Sequence, residues 1–219
     1  MEAKVVVYTA IFEDYDALIP HTPSDGVRFI CFTDSEELSA EPWEVRVVEC
    51  ALGGRRENRR YKILAHNFID ADYSIYVDGN VKLLVDPKEL VSRYLAGSPV
   101  ALFRHPFRAC LYDEGNAIAK AGLDDPEIVL AQLERYHRAG YPEKNGLHAG
   151  NVILRRHIEE VARFNELWWQ EYSRGCERDQ VCLDYALWKV GLIPTEIPPP
   201  WPGVGKHSEF AYFGHGDHG

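Results

Sequence analysis

The sequence predicts an α/β domain built on a mainly parallel sheet, and three observations predict it. Short apolar runs recur along the chain without the polar–apolar alternation of a one-sided sheet, so the strands they form are covered on both faces. Segments with apolar residues at helical spacing lie between those runs, and strands alternating with helices are the pattern of a parallel sheet. The chain of 219 residues, 46% of them hydrophobic, supplies one core of ordinary size.

The first strand is the run from Lys4 to Phe12, which Met1-Glu2-Ala3 enters directly, without the pattern of a secretory leader. Val27 to Phe32, Val45 to Val48, Tyr73 to Val77, Val100 to Phe103 and Val152 to Leu154 follow. Tyr61, Leu64, Ala65 and Phe68 fall at i, i+3, i+4 and i+7 of one helical face. Val161, Phe164 and Trp168 mark a second helix, and Val181, Tyr185 and Trp188 a third. Pro20 to Gly26, Leu52-Gly53-Gly54 and Gly140 to Gly150 punctuate the chain. From Pro198 to Gly219 the periodicity is lost, as in a lid or a loose tail. With no linker and no repeat, residues 1–219 are expected to form a single domain.

The charge balance narrows the function classes. With 24 Lys and Arg against 34 Asp and Glu, the formal charge is −10, which argues against broad contact with a nucleic-acid backbone or an anionic membrane. An anionic ligand must be caught by a local basic cluster. No apolar run reaches the roughly 18 residues of a spanning helix, and the expected location is cytoplasmic. Cys31, Cys50, Cys110, Cys176 and Cys182 show no CxxC pair and no zinc-ligand spacing, so reduced, mostly buried thiols are expected.

Four segments carry residues suited to chemistry. Tyr73-Ser-Ile-Tyr-Val runs straight into Asp78-Gly79-Asn80, and ligands of open α/β sheets bind outside the carboxyl ends of strands. Asp78 and Asn80 are hard oxygen ligands suited to Mg²⁺ or Mn²⁺ carrying a diphosphate, and Gly79 permits close approach; the same three residues equally suit a plain turn. Arg55-Arg56-Glu57-Asn58-Arg59-Arg60-Tyr61-Lys62 opens the first helix, with Arg55, Arg59, Lys62 and His66 on one face. Cations in a first turn oppose the helix dipole, so the cluster suits either an anion held by guanidinium forks or a solvated face with Glu57 as partner. In Arg178-Asp179-Gln180, Asp179 suits a helix N-cap as well as a sugar ligand or base. The strand from Asn151 ends in Arg155-Arg156-His157, where His157 suits a helix start as well as a catalyst. His105 and Arg108, after Val100 to Phe103, are placed to line the same crevice. The tail adds His207, His215 and His218.

Arg56-x-Asn58 with Lys62, then Tyr73 to Gly79, Val85-Asp86-Pro87, Arg104-His105, Gly150 to His157, Phe164 with Leu167-Trp168, and Arg178-Asp179-Gln180 occur in one order. From about residue 29 to about residue 190 the chain resembles the glycosyltransferase-like domain family that includes plant proteins of mucilage synthesis and pollen development. The resemblance implies a GT-A-type, Rossmann-like fold related to the family 8 glycosyltransferases. Residues 1–85 would form the nucleotide-binding half, 86–197 the sugar and acceptor half, and 198–219 a loop or tail. The implied reaction moves a sugar from a nucleotide diphosphate sugar, most simply a UDP-sugar, to a glycan or other hydroxyl acceptor. The implied donor site is Thr9, Ala10, Asp34, Arg56, Arg59, Lys62, Asp78 and Gly79. A divalent metal, Mn²⁺ or Mg²⁺, falls to Asp78, Asn80 and His207. His105, Arg108 and Arg155 would surround the sugar and acceptor, and Asp179, His157 and Gln180 would be catalytic. Asn80 stands where such enzymes usually carry a second acid, and Arg156 where the family usually has one. A binding module that keeps the donor site without turnover is therefore the alternative. A phosphatase of the haloacid-dehalogenase type would need a second Asp where Asn80 stands, because an amide cannot serve as its general acid.

Overall fold

The computed structural model describes residues 3–199 and 207–214. β1 (Val5–Ile11) pairs in parallel with β2 (Val27–Thr33) on one side and β4 (Tyr73–Val77) on the other, and β2 pairs in parallel with β3 (Trp43–Val47). β7 (His148–Arg156) is antiparallel both to β4 and to β6 (Val100–Arg104), and β6 is parallel to β8 (Thr195–Ile197). The sheet order is β3-β2-β1-β4-β7-β6-β8. Six strands share one direction and β7 opposes them, so the expected mainly parallel sheet of a Rossmann-like GT-A fold is present. A two-stranded sheet joins β5 (Val81–Leu83) to β9 (Phe210–Tyr212).

All seven residues of β1 are buried, which explains the absence of alternation in its sequence. Val6, Tyr8 and Ala10 enter one core, while Val5, Val7 and Ile11 enter the other. The first core is closed by α1 (Gly54–Ile63), α3 (Leu111–Ala121), α4 (Pro126–Arg138), α5 (Glu159–Ser173) and α6 (Gln180–Val190). The second is closed by α2 (Pro87–Tyr94) with β5 and β9. All five cysteines are unpaired, and four are buried. Among the described residues no helix is long and apolar enough to cross a membrane.

Three helices had no apolar period strong enough to mark them. Two carry capping signals instead: Asp86 accepts from Lys88 N–H at 2.7 Å and Asp125 from Glu127 N–H at 2.8 Å, each ahead of a proline in the first turn. The helix read through Phe68 ends at Ile63, because Leu64 leaves helical geometry at φ −88°, ψ 41°. His66 therefore departs from the row of Arg55, Arg59 and Lys62 and meets Glu166 on α5 at 3.0 Å.

Candidate active site

Asp78 follows β4 at the carboxyl edge of the sheet. Its N–H donates to Asn151 O at 2.9 Å, and its Oδ1 accepts from the Tyr76 hydroxyl at 2.8 Å. The next residue is glycine for a steric reason: a Cβ on Gly79 would stand 2.8 Å from Asp16 Cβ. No positive φ is required there. The group that approaches Gly79 is Asp16 of this chain, which brings a second carboxylate to the Asp78 turn.

The basic helix α1 starts at Gly53, with φ +80°, and Gly54, whose N–H donates to Glu13 Oε1 at 2.8 Å. Its charges are partly compensated within the chain. Glu57, fully buried, pairs with Arg60 at 2.8 Å, while Arg55 and Arg56 lie 3.7 and 3.8 Å from Glu177. Arg59 and Lys62 turn towards the crevice. Lys62 Nζ is 2.6 Å from Asp179 Oδ2 and 3.8 Å from Asp78 Oδ1, and Arg59 Nε is 3.3 Å from Asp179 Oδ1.

Asp179 begins α6 but makes no side-chain cap; its carboxylate faces the two cations instead. Its carbonyl accepts from the buried Trp168 indole at 3.1 Å, and Asp124 holds the preceding Glu177 N–H at 2.7 Å. Burial alone would raise the Asp179 pKa, but Arg59 and Lys62 hold it well below the usual carboxylate range. For Arg59, burial works against the charge and Asp179 and Asp78 overcome it, raising its pKa.

A bulge brings β7 to this group. Leu102 pairs with Ile153, yet the next residue, Phe103, pairs with Ala149, so Gly150, Asn151 and Val152 are extra on β7. A Cβ on Gly150 would lie 3.3 Å from Lys62 Nζ and 3.6 Å from Asp179 Oδ2, which makes glycine the residue that lets the strand approach. Gln180 donates its side-chain amide to His148 O, fastening α6 to the start of β7. His148 Nδ1 is 2.5 Å from Asp184 Oδ1. Burial would lower the His148 pKa, but the hydrogen bond and charge of Asp184, aided by Glu196, raise it.

The other residues singled out in the sequence divide by position. Thr9 is buried within β1, and Ala10 O accepts from the Asn58 amide. Asp34 follows β2 and accepts from Glu13 N–H at 3.0 Å, so the loops after β1 and β2 and the start of α1 are joined through Glu13. Arg56 turns to α5, donating to Ser173 O at 3.4 Å. Asn80 donates to Phe213 O at 3.1 Å, tying the turn to the C-terminal strap that contains β9. His207 packs beside Phe103 and Phe210, and its Nδ1 accepts from Glu209 N–H at 3.1 Å. His215 and His218 lie outside the described residues. His105 and Arg108 stand beyond β6 with Glu114, which Arg108 meets at 2.7 Å; burial lowers the His105 pKa.

His157 and Arg155 are not part of this group. Because β7 runs antiparallel, its carboxyl end lies at the opposite edge of the sheet: His157 N–H donates to Asp72 O at 2.8 Å, whereas Asp78 pairs with Asn151. Asp72 and Asp78 are separated along β4 by roughly 20 Å at ~3.3 Å per residue. His157 bonds Ser74 Oγ at 2.8 Å, and burial followed by the Arg155 charge lowers its pKa to about 4. Arg155 is fully buried and donates to the Tyr8 hydroxyl at 2.9 Å. His157 stands at the back of the fold, while the Arg155 guanidinium reaches forward beneath the site, where the Tyr8 hydroxyl it meets donates to Lys62 O at 3.1 Å.

Asp16, Tyr76, His148 and Asp184 were not singled out from sequence. Tyr76 and Asp78 alternate on one strand face, which is a usable signal. His148 and Asp184 meet only because the bulge and α6 bring them together, and no local spacing shows that.

The sequence model of the TOD1/MUCI70 glycosyltransferase-like domain matches residues 42–197. The probable hexosyltransferase MUCI70 of Arabidopsis thaliana is 29% identical over 217 residues, covering 85% of this chain and 37% of its own length. The alkaline ceramidase TOD1 of Arabidopsis thaliana is 25% identical over 187 residues, covering 78% of this chain and 38% of its own length. The chain thus spans less than two-fifths of the length of either relative.

Proposed function

Because the chain belongs to the TOD1/MUCI70 glycosyltransferase-like domain family, we propose that it transfers a sugar from a nucleotide diphosphate sugar, a UDP-sugar first among them, to a hydroxyl acceptor. The observation that carries this reading is the convergence of Lys62 and Arg59 with Asp78 and Asp179 at the carboxyl edge of the sheet. The largest charge to develop in glycosyl transfer is on the departing diphosphate, and fixed cations in a water-poor cleft stabilise it. Lys62 is the natural contact: its ammonium carries three donors and already faces Asp78 and Asp179 from one point. Glu13 and Asp34, at the ends of β1 and β2, would receive the nucleoside.

A divalent metal fits Asp78 together with the amide oxygen of Asn80, since Asn80 spends its Nδ2 on Phe213 O. Mg²⁺ and Mn²⁺ often take only one or two protein oxygens and complete their shell with phosphate and water. Such a metal supplies Lewis-acid neutralisation of the leaving group. His207 is absorbed in aromatic packing, so the metal reading rests on Asp78 and Asn80.

The test is a thermal-shift and calorimetric screen of nucleoside diphosphates and nucleotide sugars, with and without Mn²⁺, on the natural chain and on Asp78→Ala. A ligand at 100-fold excess over Kd stabilises by about 2.7 kcal/mol. A UDP-selective shift lost in Asp78→Ala, with sugar release or transfer, is the expected result. Tight binding without turnover for any acceptor would favour the binding-module alternative. Release of fatty acid from an N-acylsphingosine, with no response to nucleotides, would overturn the reading in favour of amide hydrolysis.

A further inference from the structure

We propose that His148 is the base that accepts the proton of the acceptor hydroxyl, with Asp184 as its positioning residue; this rests on the glycosyl-transfer reading above. His148 opens β7 and pairs with Arg104, the last residue of β6, so it stands at the same edge of the sheet as Asp78. Two residues on is Gly150, packed against Lys62 and Asp179. The imidazole therefore borders the donor group on the side where β6 and β8 end.

Its ring is fixed for this task. Asp184 Oδ2 accepts from His148 N–H at 2.9 Å and Oδ1 faces Nδ1 at 2.5 Å, so one carboxylate holds both the backbone and the ring. A carboxylate can only accept, which puts the proton on Nδ1 and the lone pair on Nε2. Nε2 lies 3.8 Å from Oε1 of Glu196 at the rim of the fold; the His148 side chain is 9% exposed and that of Glu196 53%, so Glu196 covers the nitrogen from the solvent side. An acceptor entering past Glu196 meets that nitrogen.

Asp179, the other candidate base, is disqualified by its partners. Lys62 and Arg59 occupy its two oxygens, and a carboxylate so strongly stabilised is a weak base. Its role is to hold the two cations in place.

The step balances within donor, acceptor and chain. The acceptor O–H proton passes to Nε2, the acceptor oxygen bonds to the anomeric carbon, and the bond from that carbon to the diphosphate oxygen breaks, its electron pair leaving with the diphosphate. The imidazolium then returns its proton to solvent. Attack from the side opposite the leaving group inverts the anomeric centre. The groups facing His148 are Asp184 from α6, Glu196 from β8, and Arg104 with the nearby His105 from β6. The two carboxylates favour the imidazolium, so an acid limb governed by His148 lies above the ordinary histidine range.

The test compares His148→Gln, Asp184→Asn and Glu196→Gln with the natural chain, using the nucleotide sugar that the natural chain turns over, with UDP affinity measured alongside. His148→Gln is expected to lower kcat by about 10²- to 10⁴-fold, to leave UDP affinity within twofold, and to abolish the acid limb of the pH–rate profile. Glu196→Gln, which removes one of the two carboxylates facing the imidazole, is expected to move that limb to lower pH. A folded, UDP-binding His148→Gln that keeps its rate and its acid limb overturns the assignment, as does a Glu196→Gln limb that does not move if His148→Gln fails to fold. A retained anomeric configuration in the product also overturns it. A natural chain that turns over no nucleotide sugar in the screen removes the transfer reading itself, and the base with it.

Discussion

Lys62 Nζ lies 2.6 Å from Asp179 Oδ2, and the two side chains are only 3% and 12% exposed. This contact joins the last turn of α1 to the first residue before α6 and leaves little water at either charge. Lys62→Met would leave Asp179 with Arg59 alone. Breaking a buried pair from one side costs about 3 kcal/mol or more, because the remaining charge stays desolvated. Urea unfolding should show that loss, and the double variant Lys62→Met/Asp179→Leu should recover part of it while binding no nucleotide.

Gly150→Ala tests the close approach of β7. Its Cβ would press on Lys62 Cε and Nζ at 3.3 Å, and the far end of a lysine can give way by a few tenths of an ångström. Stability should change by less than about 1 kcal/mol, while affinity for UDP falls several-fold in calorimetry. Gly79→Ala meets Asp16 Cβ at 2.8 Å and should be the more disruptive of the two.

His21 makes stability depend on pH. Its Nδ1–H donates to Ile19 O at 3.0 Å and its Nε2 accepts from Leu83 N–H at 3.1 Å, so the neutral ring is fully used and a second proton would break the Leu83 bond. Burial lowers its pKa to about 4. Between the ordinary value of about 6.5 and 4 the unfolded chain binds the proton first, so stability is intact above that window and declines as pH falls through it. The full shift corresponds to at most about 3.4 kcal/mol. Urea midpoints at pH 7 and pH 4.5 should differ more in the natural chain than in His21→Gln; His157 contributes with the same sign.

The C-terminal strap is fastened by one acid. Glu209, buried, takes both Arg93 and the Tyr94 hydroxyl from α2, and its carbonyl accepts from Leu84 N–H at 2.8 Å. Glu209→Ala should speed hydrogen exchange at Leu84, whose N–H the Glu209 carbonyl holds, and at Lys82, which pairs with Ala211 of β9, without changing exchange in β1.

Much of this arrangement was legible in the sequence. The two-sided burial of β1 is written in its unbroken apolar run, and the position of Asp78 at the carboxyl edge of the sheet in the apolar strand that precedes it. Lys62 and Asp179 were each identified, but not that they would pair, because a contact between distant segments leaves no local pattern. The reversal of β7 leaves no trace, because a strand reads the same in either direction, and so the sequence does not show that His157 stands at the Asp72 end of the sheet. The bulge that brings His148 forward has only Gly150 as its trace.

That reversed strand is a ruler with a mark at each end. Asn151 O is read by Asp78 N–H at the crevice and Asp72 O by His157 N–H at the back, while β6 holds the other side. A slip of one residue would turn every side chain of β7 to the wrong face and spoil both marks at once. The crevice floor is thus a fixed reference, and the positions of Asp78 and Gly150 relative to each other are set by the same strand that seats His157 at the far edge.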